Sequence, residues 1–151
     1  MVEICVALLE GAQDSIKKLE KQGFTFVESY KNYDTYFTTI NKLDLKTIPY
    51  KTLLDNSVLI RHCVSKDHDE KSIVYKSKTL DDKGNVIQEI KSKVIINNIE
   101  KAKEIFNNLN LKCWCDYTVE NIIYKKDDIE VNIQRTNTLG DFIEIEEYPQ
   151  I

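Results

Sequence analysis

At 151 residues the chain is the size of one ordinary domain, long enough to bury a core without disulfide or metal staples. Its 42% hydrophobic and 30% charged residues, with four Gly and two Pro, exclude a disordered, fibrous or linker-rich chain. A net charge of −4, with no basic run interleaved with aromatics, argues against nucleic acid as a partner.

In chain order, Val2 to Leu9 is a short apolar, β-branched run bounded by Glu10 and Gly11, which predicts an opening strand. Asp14 or Ser15 can cap a helix over about 13–22, with Ile16 and Leu19 on one face and Gly23 at the left-handed C′ position. Phe24 to Tyr30 and Tyr33 to Thr39 read as two strands. Residues 42–56 read as a loop with room for a short helix. Ser57 to Val64 and Lys71 to Lys78 form a hairpin around Ser65 to Glu70, and Val86 to Ile96 follows as its next strand.

Asn97 or Asn98 can cap a second helix whose Ile99, Ala102, Ile105, Phe106 and Leu109 make one apolar stripe. Four strands then follow: Leu111 to Val119, Asn121 to Lys125, Ile129 to Thr136 and Asp141 to Glu147. The segments IKKLEKQGFTFV and KEIFNNLNLKCW repeat a helix end, a turn and an aromatic strand, which suggests an internal pseudo-twofold. So many short antiparallel strands must protect their edges, and closure into a barrel or tunnel is the usual solution. The expected fold is therefore α+β and β-rich: one domain, 1–151, an antiparallel eight-stranded closed or nearly closed tunnel barrel with two or more flanking helices.

No apolar stretch nears the roughly 18 to 20 residues that span a bilayer, and the first residues carry Glu3 where a signal peptide has basic groups. A cytoplasmic protein with no membrane partner, a monomer or homodimer, is expected. Cys5, Cys63, Cys113 and Cys115 form no CxxC pair, so buried reduced thiols are expected. Zinc held by Cys113, Cys115, Cys63, His62 and His68 is the sharper alternative, although the spacing matches no usual zinc pattern.

Strand alternation places Glu144 and Glu146 on one face, either as a pair for a divalent metal or as a solvated ladder. Arg61, with Lys76 and Lys78 on the next strand and Lys91 beyond, can present cations to a common interior, unless these groups simply point outward. A tunnel lined by both signs suits phosphate with metal, because only Lys, Arg and metal neutralise closely spaced phosphate charge.

Glu3, Tyr33-Asp34-x-Tyr36-Phe37, Leu59-Ile60-Arg61, Val74-Tyr75-Lys76 and the terminal Leu139-Gly140-Asp141-Phe142-Ile143-Glu144-Ile145-Glu146 follow one another in an order that resembles the CYTH, or triphosphate-tunnel, family over essentially the whole chain. The resemblance implies an eight-stranded tunnel that binds triphosphates with Mg²⁺ or Mn²⁺, as in class IV adenylate cyclases, thiamine triphosphatases and inorganic triphosphatases. It implies phosphate binding by Arg61, Lys76, Lys78 and Lys91, and metal binding by Glu3, Glu89, Glu144 and Glu146.

Against that pattern, the opening Glu-x-Glu-x-Lys falls on Glu3, Cys5 and Ala7, and the Arg-x-Arg strand keeps Arg61 alone between Leu59 and Cys63. The later Lys-x-Arg falls on Val119 and Asn121, and the acid before the Leu-Gly turn on Gln134. Three readings follow: a metal-dependent triphosphatase or cyclase-like enzyme, a module that binds a phosphorylated small molecule in a more apolar tunnel without chemistry, and a structural domain whose lumen is filled by side chains.

Overall fold

The computed structural model describes residues 2–41 and 46–147, with side chains described at 5–41, 46–85 and 87–145. Eight strands and three helices run in the order β1 (Val2–Ala7), α1 (Ala12–Lys21), β2 (Thr25–Thr38), α2 (Tyr50–Asp55), β3 (Ser57–Ser65), β4 (Asp69–Leu80), β5 (Val86–Ile96), α3 (Ile99–Asn108), β6 (Lys112–Lys126), β7 (Ile129–Thr136) and β8 (Asp141–Glu147).

The strands form one sheet in the order β1-β8-β7-β6-β2-β3-β4-β5. Adjacent pairs are antiparallel, with registers such as Cys5 opposite Glu144, Asn132 opposite Glu144, and Lys76 opposite Lys91. The α+β, β-rich class is as expected. Closure is not given by the pairing: β1 and β5 end the order, and no ladder joins them among the described residues.

Two expected strand pairs prove to be single long strands. Residues 24–39 give one 14-residue β2 (Thr25–Thr38), and residues 111–125 give one 15-residue β6 (Lys112–Lys126). Their middles are polar, which sequence reading took for breaks. Neither middle contains Gly or Pro, so nothing interrupts the ladder. The loop before β3 carries the short α2, part of it (42–45) lying outside the described residues.

Helix α1 begins one residue early, with Gly11 rather than Asp14 or Ser15 at its N-cap. Its first orphan amide is satisfied from far along the chain, where Ala12 N–H donates to Asp141 Oδ2 at 2.9 Å. Helix α3 is capped by Asn98, as expected, whose side chain accepts from Lys101 N–H.

The two helix exits match closely. After α1, Gly23 turns left-handed (φ 91) and Phe24 N–H donates to the Leu19 carbonyl at 3.0 Å. After α3, Asn110 does the same (φ 64) and Leu111 N–H donates to the Phe106 carbonyl at 3.0 Å. Gly and Asn are the residues that tolerate this conformation at a helix C-terminus. The repeat read from the sequence is real at the level of this motif.

The chain divides into two compact units, with β2, β3 and β6 contributing to both. The first comprises Met1–Asn32, Val64–His68 and Tyr117–Ile151. Its core packs Ala12, Ile16 and Leu19 of α1 on Ile122, Tyr124, Val131 and the fully buried Ile133. The second comprises Tyr33–Cys63 and Asp69–Asp116. Its core packs Ala102 and Phe106 of α3 on Phe37 and Ile60, with Phe37 and Phe106 edge to face at 5.3 Å.

In each unit one sheet face therefore carries the helix and the apolar core. Strand alternation leaves the other face for the chemistry. No helix among the described residues is long and apolar enough to cross a membrane.

Candidate functional site

The second unit holds the cations. Arg61, on β3, forms a two-pronged ion pair with Asp34 on β2: Nε and Nη2 each donate at 2.8 Å, one to each carboxylate oxygen. The Asp34 side chain is only 3% exposed and that of Arg61 21%. Burial opposes the charge on Arg61, but the hydrogen bonds and charge of Asp34 outweigh it and leave its pKa raised.

Lys76 stands on the adjacent β4 with Lys91 directly opposite it on β5, and Lys78 two residues along stands opposite Glu89. Burial holds the Lys76 pKa below that of an ordinary lysine, and the neighbouring Arg61 and Lys91 push it further down. Glu89 and Asp34 act in the opposite direction without restoring it. Such a lysine gains by receiving an anion, because an anion removes the like-charge cost that the fold imposes.

Beside this row lies a hollow of about 370 Å³ whose walls include Tyr36, Tyr50, Leu54, Leu59, Val74, Lys76 and Lys78. Its aromatic side is organised around Trp114. The indole ring lies 5.2 Å from Tyr36 and 6.5 Å from Tyr50, and its Nε1–H donates to Ser57 Oγ at 3.0 Å. Tyr36 is pushed up to about 12, first by burial and then by the charge of Asp34. At the α2 end, Asp55 accepts from Ser77 Oγ at 3.0 Å while Tyr75 Oη donates to its carbonyl.

The first unit holds a different surface. A small polar hollow of about 80 Å³ is lined by Tyr30, Ile123, Glu130, Asn132 and Glu144. Beneath it Asn132 Nδ2 donates to Asn121 Oδ1 at 2.9 Å, and Gln134 reaches Glu144 at 3.5 Å. Asn121 is 3% exposed, and its Nδ2, together with Asn132 Oδ1 and Asn32 Oδ1, has no hydrogen-bond partner in the protein. Buried amide atoms of this kind are costly unless a ligand meets them.

Of the residues expected from the sequence, Arg61, Lys76, Lys78, Lys91 and Glu89 come together in the second unit. Glu144 lies in the first unit beside Glu130 and Asn132. Glu3 and Glu146 oppose each other in the β1·β8 ladder, and their side chains lie outside the described residues.

Sequence reading missed Asp34 as the partner of Arg61, although Asp34 and Tyr36 alternate on one strand face. It also missed the aromatic wall. Trp114, Tyr36 and Tyr50 are far apart in sequence, and only β2·β6 adjacency and the α2 turn bring them together.

The cysteines correct an expectation. None is bridged, but Cys5 and Cys113 are exposed and Cys63 and Cys115 half-exposed, so they do not fill a core. His62 hydrogen-bonds Asp69 at 2.7 Å, and no cluster of three or more His, Cys, Asp or Glu occurs among the described residues, so the zinc alternative has no site there.

The CYTH domain profile matches residues 2–148. The chain belongs to the CYTH domain family. It is 30% identical over 148 residues to a Methanocaldococcus jannaschii protein named "Putative adenylate cyclase MJ0240", covering 97% of this chain and 77% of that one. Among solved structures, the PH1819 protein of Pyrococcus horikoshii OT3 matches with a TM-score of 0.69 at 22% identity, over 99% of this chain and 78% of that one. A conserved hypothetical protein of Pyrococcus furiosus matches at 0.65 and 21% identity, over 99% and 79%. At those identities the structures speak to the fold alone.

Proposed function

We propose that this CYTH protein binds a phosphorylated small molecule, a triphosphate or nucleotide, through Lys76, Lys78 and Lys91, with the Tyr36, Tyr50 and Trp114 wall available to an organic part of the ligand. The observation that carries this reading is the placement of Lys76: it is half-buried beside Arg61 and Lys91, and burial first, then those two cations, hold its pKa below that of an ordinary lysine. Arg61 enters with two of its nitrogens already committed to Asp34, so it contributes a positioned charge more than a free fork.

The family's divalent metal, Mg²⁺ or Mn²⁺, requires hard oxygen ligands. Glu130, Glu144 and the unpartnered Asn132 Oδ1 supply oxygen atoms only, which suits such an ion. In this reading Glu130 and Glu144 would hold the ion on the polar face of the first unit, where it would supply positive charge to an anionic ligand when bound.

Binding is favoured over efficient turnover. Phosphoryl transfer depends on placed charges, and loss of one typically costs orders of magnitude in rate. Here Cys5, Ala7, Val119, Asn121 and Gln134 stand where the family resemblance places charged groups, and Val119 and Asn121 are buried.

Trp114 is the sole tryptophan, so its fluorescence reports the hollow directly. Titration with inorganic triphosphate and with ATP, each with and without Mg²⁺, should give a saturable change that Lys76→Met abolishes. A flat response to all four conditions would overturn the reading.

A further inference from the structure

The strand β5 ends the sheet order, and no strand pairs with its outer edge among the described residues. It is 11 residues long, and beside the charged Glu89, Lys91 and Lys93 it exposes Ile87 by 66%, Ile90 by 52%, Val94 by 56% and Ile95 by 60%. We infer that β5 is a dimerisation edge, pairing antiparallel with β5 of a second copy about a two-fold axis through Ile90.

The register follows from charge. A two-fold axis normal to the sheet must pass through one residue, because opposed side chains share a face. An axis at Glu89 or Lys91 sets that charge against itself, and an axis at Ser92 sets Lys91 against Lys93. An axis at Ile90 sets Ile90 against Ile90, Gln88 against Ser92, and Glu89 against Lys91 twice over.

The same register relieves a cost within each chain. Lys91 stands opposite Lys76 across the β4·β5 ladder, like charge facing like. On its outer side it would meet Glu89 of the second copy. Reading across the paired sheets, the row becomes Lys76, Lys91, Glu89 and Lys78, with an acid set between two cations. A single pair of strand edges lies at the small end of specific interfaces, so association should depend on protein concentration.

Sedimentation velocity of the full chain, over a concentration series into the hundreds of micromolar, should show a monomer passing to a dimer. Glu89→Lys and Lys91→Glu should each shift the protein to monomer, since each sets like charges opposite one another. The double variant E89K/K91E restores the complementarity and should dimerise again. An equimolar mixture of the two single variants should form a heterodimer, which also shows that both are folded. Ile90→Lys, at a position already half-exposed, should give a monomer with an unchanged melting temperature when both proteins are compared at a dilution where the parent is monomeric. A parent that stays monomeric throughout, or a dimer that neither single reversal weakens, would overturn the inference.

Discussion

Arg61 and Asp34 are locked face to face, each of two guanidinium nitrogens 2.8 Å from one carboxylate oxygen, with Asp34 almost wholly buried. The pair fixes the guanidinium at the head of the lysine row while withholding two of its five N–H donors from any ligand. Replacing Asp34 by Asn should therefore do two things. It should destabilise the protein by about 3 kcal/mol, the scale for breaking a buried ion pair, as read by denaturant unfolding. It should also tighten inorganic triphosphate binding, because the freed fork can turn to phosphate.

Lys76 predicts a pH dependence of opposite sign from that of a salt-bridged lysine. Its native pKa lies below 10.5, so between that pKa and 10.5 the unfolded chain holds more protons and stability rises with pH. Below its native pKa the full cost of the buried charge is present. The Lys76→Met variant should melt higher than the parent at neutral pH, and the gap should close as pH passes 10.5. A constant gap would show that the charge is not the cause.

Tyr36 works the other way. Its pKa is raised to about 12, first by burial and then by Asp34, against 10.0 in the unfolded chain. Stability is then lost as pH rises from 10.0 towards 12, because the unfolded state ionises first. Tyr36→Phe should flatten the melting curve in that window and leave neutral pH little changed.

The amide pair in the first unit tests whether buried polarity there serves a ligand. Asn121→Leu alone leaves Asn132 without its acceptor and should cost about 1–3 kcal/mol. The double variant N121L/N132L should recover most of that loss in melting temperature, because no orphan remains. If the pair helps to seat a metal beside Glu144, the recovered double variant should still bind Mn²⁺ more weakly than the parent.

Much of this architecture is legible in the sequence because it is local. Gly23 and Asn98 mark helix ends, and the alternation in Ser57 to Val64 and Asp141 to Glu147 marks strands. The long strands β2 and β6 were divided because their polar middles resemble turns. Those polar residues belong to sheet faces, where Asn32, Asp34 and Asn121 are needed.

The cationic row was legible because Lys76 and Lys78 share a strand face. Its counter-ion, its aromatic wall and the Asn121–Asn132 pair were not, since each depends on which strands become neighbours.

The most direct test of the account is the melting temperature of the parent and of Lys76→Met with inorganic triphosphate and Mg²⁺. At about 100 times Kd, binding to the native state adds roughly 2.7 kcal/mol, which for a domain of this size raises the midpoint by about 5 °C or more. The account predicts that rise in the parent and its loss in Lys76→Met. An unshifted parent, or an equal shift in the variant, would contradict a phosphate site built on Lys76.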